Sequence, residues 1–259
     1  MTRALTIVGI VALALAVTCA AVLLAQWQWH RHEARSAEVA AFHSGQSAPP
    51  APLNDVVPDA AVTFPEDARW RTATVSGNFD TSSLTWLRNR PVDGSPATHA
   101  LAWFVTDDGR SLLVDAGWVE AEADSRPGLP SEHLQLTVTT RPTEADDGRE
   151  SSGTGGATRI TPDQMPDAPT QVVPGYGVMS EACQDPCGAL PGLSVTPLPV
   201  LGLGAHLAYT IQWYMLAVAA PIVAIVWIRR EVRGDEVPTG VAAPRRRRGP
   251  TDEDIEDAL

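Results

Sequence analysis

The alternation of apolar and polar positions divides this chain before any residue is considered for chemistry. Residues 4–28 carry no charge, and the apolar run 4–25 is 22 residues long, about 33 Å as a helix, enough to cross a hydrocarbon layer. Residues 207–228 form a second uncharged run of 22. A core helix of a soluble protein turns one face to water and seldom reaches that length without a charge. The pattern therefore predicts transmembrane helices over 4–28 and 206–228.

Between them the period changes from helical to two. Ala73, Val75 and Phe79 alternate with Thr72, Thr74 and Ser76, as in a half-buried strand, and Leu84, Trp86 and Leu87 predict another. Residues 99–106 are nearly all apolar, Asp107-Asp108-Gly109 supplies turn chemistry, and 112–114 returns, which predicts a hairpin. Leu134, Leu136 and Val138 alternate with polar residues, and 175–179 adds a short strand. Residues 29–69 show no period and read as a linker, and 141–170, rich in Pro, Gly, Ser, Thr and acids, as a mobile insertion. The predicted fold class is a membrane protein: two transmembrane helices flanking a small, mainly antiparallel β domain at 70–205, with about five strands. Its core is expected from Val75, Phe79, Leu112, Val114, Leu134 and Leu136.

Charge sets the orientation. Arg229, Arg230, Arg233 and Arg245 to Arg248 follow the second helix, whereas 185–207 holds no arginine. The positive-inside rule places 229–259, a tail of disordered composition, in the cytoplasm. With two spans, residues 1–3 share that side and the β domain lies outside the plasma membrane. Trp27, Trp29, Tyr209, Trp213, Tyr214 and Trp227 mark the span ends as interfacial aromatics. A cleaved signal peptide is the rival reading of the first run, but the run is long and ends in Gln26-Trp27-Gln28-Trp29 rather than in small residues.

The net charge of −12 falls entirely between the helices, where eleven arginines face 23 acidic residues. That balance argues against a nucleic-acid partner and for a domain that stands off anionic headgroups. Every basic residue is arginine, so lysine chemistry is excluded.

No catalytic motif occurs: neither Gly-x-Ser-x-Gly, His-Glu-x-x-His, a phosphate loop nor a dinucleotide fingerprint, and the reading is of a protein that is not an enzyme. Cys183 and Cys187 form the one thiol pair outside the membrane. They read either as a disulfide pinning a turn or as a soft-metal or redox pair, which would make the protein a copper chaperone. His206 opens the second span near Tyr209 and Trp213 and reads either as an interfacial histidine or as an axial haem ligand.

The segment Leu24-Ala25-Gln26-Trp27-Gln28-Trp29-His30-Arg31 resembles the motif that closes the first span in the surfeit locus protein 1 family, the cytochrome c oxidase assembly factors. Gly77-Asn78-Phe79-Asp80, Arg90, Asp108-Gly109 with Leu112-Leu113-Val114-Asp115-Ala116-Gly117-Trp118-Val119, and His206-Leu207-Ala208-Tyr209-Thr210-Ile211-Gln212-Trp213-Tyr214 follow in the family's order. Ala25 stands where Gly is usual and Ala116 where Arg is usual, and Gly204-Ala205 replaces an Asn-rich lead into the histidine. The resemblance implies a plasma-membrane biogenesis factor that binds haem a and assists its insertion into the catalytic subunit of a haem-copper oxidase, in possible concert with the haem a synthesis machinery. It implies His206 as the ligand of haem iron, with Tyr209, Trp213 and Tyr214 around the ring. A scaffold for oxidase assembly that binds no cofactor shares every one of these features except the haem.

Overall fold

The computed structural model describes residues 2–123, 125–149, 156–167, 169–183 and 186–234. The chain forms two compact units, Met1–Arg31 with the segment from Ala205 onward, and His32–Gly204.

In the first unit, α1 (Thr2–Ser47) contributes its N-terminal part and α3 (His206–Arg233) the remainder. Both are long and apolar enough to cross a membrane, and only 6% and 11% of their most apolar windows are buried, unlike core helices of a soluble protein. The positions they do bury are small: Ala21 and Ala25 in α1, Thr210, Ala217 and Ala224 in α3. Small side chains let two helices approach closely where lipid provides no hydrophobic drive for association.

The second unit is built on a mixed sheet of eight strands. These are β1 (Ala51–Pro52), β2 (Thr72–Phe79), β3 (Thr85–Leu87), β4 (Ala97–Thr106), β5 (Ser111–Glu120), β6 (Leu134–Arg141), β7 (Val172–Cys183) and β8 (Cys187–Gly188), with a short helix α2 (Leu53–Val56) after β1. Strands β2, β6, β7, β5 and β4 pair in that order, and β4 returns to β2, which closes a barrel. A closed ring with an odd number of strands cannot alternate direction all the way round, so one pair must be parallel. It is β5 with β7. The domain is mainly antiparallel and its ring has five strands, as expected, but the sheet is mixed and larger, since β5 with β7 and β1 with β2 are parallel and β1, β3 and β8 are added. At the closing seam Gly77 lies against β4 so tightly that a Cβ there would meet the Val105 carbonyl oxygen.

Alternate residues of the barrel strands fill its interior, among them Val75, Phe79, Leu112, Val114, Leu134 and Leu136, all expected as core. Strand β4 is nearly continuous in apolar residues because both of its faces are covered. Ala100, Ala102 and Phe104 point inward, while Leu101 and Trp103 join a second cluster outside with Leu87, Leu113, Tyr176 and Val178. The hairpin of β4 and β5 forms as expected around the Asp-Gly turn. The short strand expected at 175–179 is the middle of the twelve-residue β7.

Two expectations for irregular segments fail. The linker at 29–69 is instead helical to Ser47 and then contributes β1, α2 and the buried Leu53, Val56 and Val57. The helix over 32–47 has no apolar stripe to betray it. It docks through Glu38, Phe42, Gly45 and Gln46, one face at helical spacing, all meeting Trp70. Trp70 is fully buried with a left-handed backbone, φ 64°, which its neighbours hold: its N–H donates to the Thr140 carbonyl and its own carbonyl accepts from Gln46.

The second failure is the mobile insertion at 141–170. Where described, it covers the outer cluster with Ala157, Ile160 and Met165 and is pinned by Gln164, whose side chain bonds Asp146, Asp147 and the backbone N–H groups of Thr158 and Arg159. Composition reads such a segment as loop because one buried glutamine does the work of many apolar residues. The Ser151 to Gly155 run and the tail beyond Gly234 lie outside the described residues.

Candidate functional site

Helix α3 begins at His206 without a side-chain cap on its first turn. The imidazole is half-buried, and its Nδ1 lies 2.9 Å from Oε1 of Gln28 on α1, within the same compact unit. An amide oxygen only accepts, so Nδ1 carries the hydrogen, which leaves Nε2 as the nitrogen that can turn to a metal. That is the tautomer and ring fixation required of a histidine that ligates a metal through Nε2. Thr210, one turn on, is buried and donates its hydroxyl to the His206 carbonyl at 2.9 Å, which leaves the imidazole free of it. At the opposite ends of the two helices Arg3 Nε stands 4.0 Å from Glu231, so α1 and α3 run antiparallel along their lengths.

Helical spacing sorts the aromatic residues. Trp213, seven residues after His206, lies on the same face and is half-buried, whereas Tyr209 and Tyr214 diverge to either side and are 49% and 44% exposed. His206, Tyr209 and Trp213 thus share one side of α3, with Tyr214 at its edge. The residues present suit a flat, apolar group ligated from one face: an imidazole held at Nδ1, and aromatic surface within two turns of it. Gln28 is the member of this site that the sequence left without a role. It stands inside the motif at the end of the first apolar run, but the contact to His206 spans 178 positions and has no local signal.

Cys183 and Cys187 are joined by a disulfide that ties β7 to β8. The Glu181 carboxylate lies within 4.8 Å of both sulfurs, but sulfurs bonded to each other offer no thiolate to a metal. Cys19, on the apolar part of α1, is a free thiol.

A second polar constellation lies in the β unit, where sequence reading found none. Strands β4 and β5 slip register between His99 and Leu101, so that Ala116 and Gly117 together oppose Ala100. This bulge aims Asp115 at His99. Asp115 Oδ2 sits 3.0 Å from His99 Nδ1, and Oδ1 accepts from the Gly117 N–H and the Thr196 hydroxyl, both at 3.2 Å. His99 and Asp115 are buried, and His99 Nε2 has no partner among the described residues. The pair borders a cavity of about 100 Å³ that is also lined by Arg90, Arg141 and Tyr176. Burial pushes the Tyr176 phenol up to about 12, with the Arg141 and Arg90 cations opposing and the Glu144 and Asp115 carboxylates reinforcing, so it stays a neutral donor. The signal in sequence was slight: a lone histidine in an apolar strand and a lone aspartate in another.

Similarity to known proteins agrees with this architecture. The sequence profile of the SURF1 family matches residues 15–218, from within the first apolar helix to within the second. An uncharacterized SURF1-like protein of Mycobacterium bovis is 30% identical over 216 residues, covering 77% of this chain and 74% of its own length. Two from strains of Mycobacterium tuberculosis match to the same extent. By the span of that match, which takes in both apolar helices and the β domain between them, the chain belongs to the SURF1 family and has the family's general role in cytochrome oxidase assembly.

Proposed function

We propose that this protein is a bacterial plasma-membrane factor that binds haem a at the outer end of its second span and assists its insertion into the catalytic subunit of a cytochrome c oxidase. The observation that carries the reading is the hydrogen bond between His206 Nδ1 and Gln28, which orients the imidazole and leaves Nε2 available. His206 supplies the ligand, Gln28 fixes its tautomer, and Trp213 with Tyr209 and Tyr214 offers aromatic surface. Bound haem would bring an iron that accepts the imidazole lone pair and an apolar ring suited to the helix surface. The arginines after α3 favour cytoplasmic termini by the positive-inside rule, and on this reading a reporter active only in the cytoplasm should be silent when inserted at residues 153–156.

The test is the visible spectrum of protein purified from cells that make haem a. The wild type should carry haem absorbance, and His206→Ala should lose it while the protein stays inserted and abundant. A His206→Ala variant with an undiminished spectrum removes the ligand assignment. A wild type without haem leaves the scaffold reading as the better account. The copper-chaperone reading loses ground to the disulfide, which occupies both external sulfurs.

A further inference from the structure

The cavity beside His99 is lined by both polar and apolar side chains. Arg90, Arg141 and Tyr176 supply donors and His99 Nε2 an acceptor, while Leu87, Ile160, Val178 and Leu198 supply apolar wall. Its volume of about 100 Å³ is several times what one water needs. Two buried nitrogens of lining residues lack partners among the described residues: Nε2 of His99 and Nε of Arg141. A buried polar atom without a partner costs stability and calls for an explanation.

The charges point to the ligand. Arg90 is neutralised by an ion pair with Glu144. Arg141 has no carboxylate partner among the described residues; its guanidinium stacks 3.9 Å above the Trp70 ring. Asp115 accepts from His99, Gly117 and Thr196. The Arg141 cation and the Asp115 anion offset each other in this lining, so the cavity suits an occupant that brings no net charge, accepts from Arg90, Arg141 and Tyr176 and donates to His99 Nε2. A tetrahedral oxyanion brings charge and leaves the Leu and Ile wall bare. A carboxylic acid with a short alkyl tail meets both demands.

We propose that this cavity is a binding site for a small aliphatic carboxylic acid of about two to four carbons, taken up with one proton that is shared between its carboxylate and His99 Nε2. Asp115 holds Nδ1–H, so a carboxylate can face Nε2 only when a proton stands between them. Arg90, Arg141 and the Tyr176 hydroxyl take the remaining lone pairs. The charged and titratable groups that share this cavity with His99 are Asp115 on β5, Arg141 on β6, Tyr176 on β7 and Arg90 on a connecting segment, with Glu144 paired to Arg90. With acid and proton bound, Arg141 and a charged His99 balance Asp115 and the ligand. The segment carrying Thr196 and Leu198 closes one side, and Trp118 anchors it by backbone bonds to Ser194 and a side-chain bond to the Val195 carbonyl.

Sodium propionate titrated into the full-length chain in nanodiscs, followed by saturation-transfer NMR, tests this. Propionate should saturate, formate and inorganic phosphate should bind about tenfold more weakly, and affinity should fall towards tenfold per pH unit above neutrality. His99→Gln should flatten that pH dependence. Arg90→Gln and Tyr176→Phe, which keep the packing, should each weaken binding about tenfold whether or not the His99 variant folds. No saturable binding, stronger binding of phosphate, affinity that keeps rising to octanoate, or indifference to both Arg90→Gln and Tyr176→Phe would each overturn the proposal.

Discussion

The indole Nε1 of Trp70 donates to Oε1 of Glu38 at 2.8 Å across 32 positions of sequence. The same carboxylate takes Arg69 Nη1 on its other oxygen at 3.1 Å. This contact joins the end of α1 to the β barrel and converts a stretch of linker-like composition into a docked helix. Glu38→Ala leaves a buried indole N–H without a partner and should destabilise the β domain by about 1–3 kcal/mol in chemical denaturation.

Gly45 supplies an independent check on that docking. A Cβ there would lie 2.6 Å from the Trp70 carbonyl carbon and oxygen, which are backbone and cannot swing aside. Gly45→Ala should therefore release 32–47 from the barrel, read as faster amide exchange over that stretch with the barrel strands still protected. Unchanged protection would show that the helix end is held by something else.

Gln28 should matter to cofactor binding without mattering to folding. Gln28→Leu removes the acceptor for His206 Nδ1–H, freeing the ring to rotate and change tautomer. The expected result is haem affinity lowered about tenfold to a hundredfold with helix content unchanged. Gln28→Glu, which keeps an acceptor at the same place, should retain most of the spectrum.

The β4–β5 turn gives the domain an acid-sensitive clasp. Burial pushes the Asp108 carboxyl up, but hydrogen bonds from Thr106, the Arg110 backbone and side chain, and Asn54 outweigh it and hold the group at about 2. Its folded value lies below its unfolded one of about 3.9, so this stabilisation is complete above that value and is lost as pH falls from about 4 to 2. Asp108→Asn should flatten that limb of the stability profile. A profile identical to wild type would remove Asp108 from the account.

The disulfide closes a short loop, so its contribution is bounded. Chain entropy gives about 2 kcal/mol for a loop of this size. The Cys183→Ser, Cys187→Ser double variant should lose no more than that and keep the barrel, since β8 reaches only residues 187–188. Alkylation without reductant should modify Cys19 alone.

The sequence by itself determined the features that rest on local periodicity or unbroken apolarity. Two apolar runs of 22 residues, neither holding a charge, dictate two long apolar helices. Period two in Ala73, Val75 and Phe79 dictates a half-buried strand, and Asp-Gly between apolar runs dictates the β4–β5 hairpin. The tertiary structure decided whatever depends on distant polar partners. Glu38 finding Trp70, Gln164 finding Asp146, Gln28 finding His206 and Asp115 finding His99 are each a hydrogen bond whose two ends are unremarkable alone. Apolar burial is additive along a strand or helix and so leaves a repeat in the sequence. A buried hydrogen bond is directional and pairwise, satisfied only once the chain has folded, and it leaves no period to read.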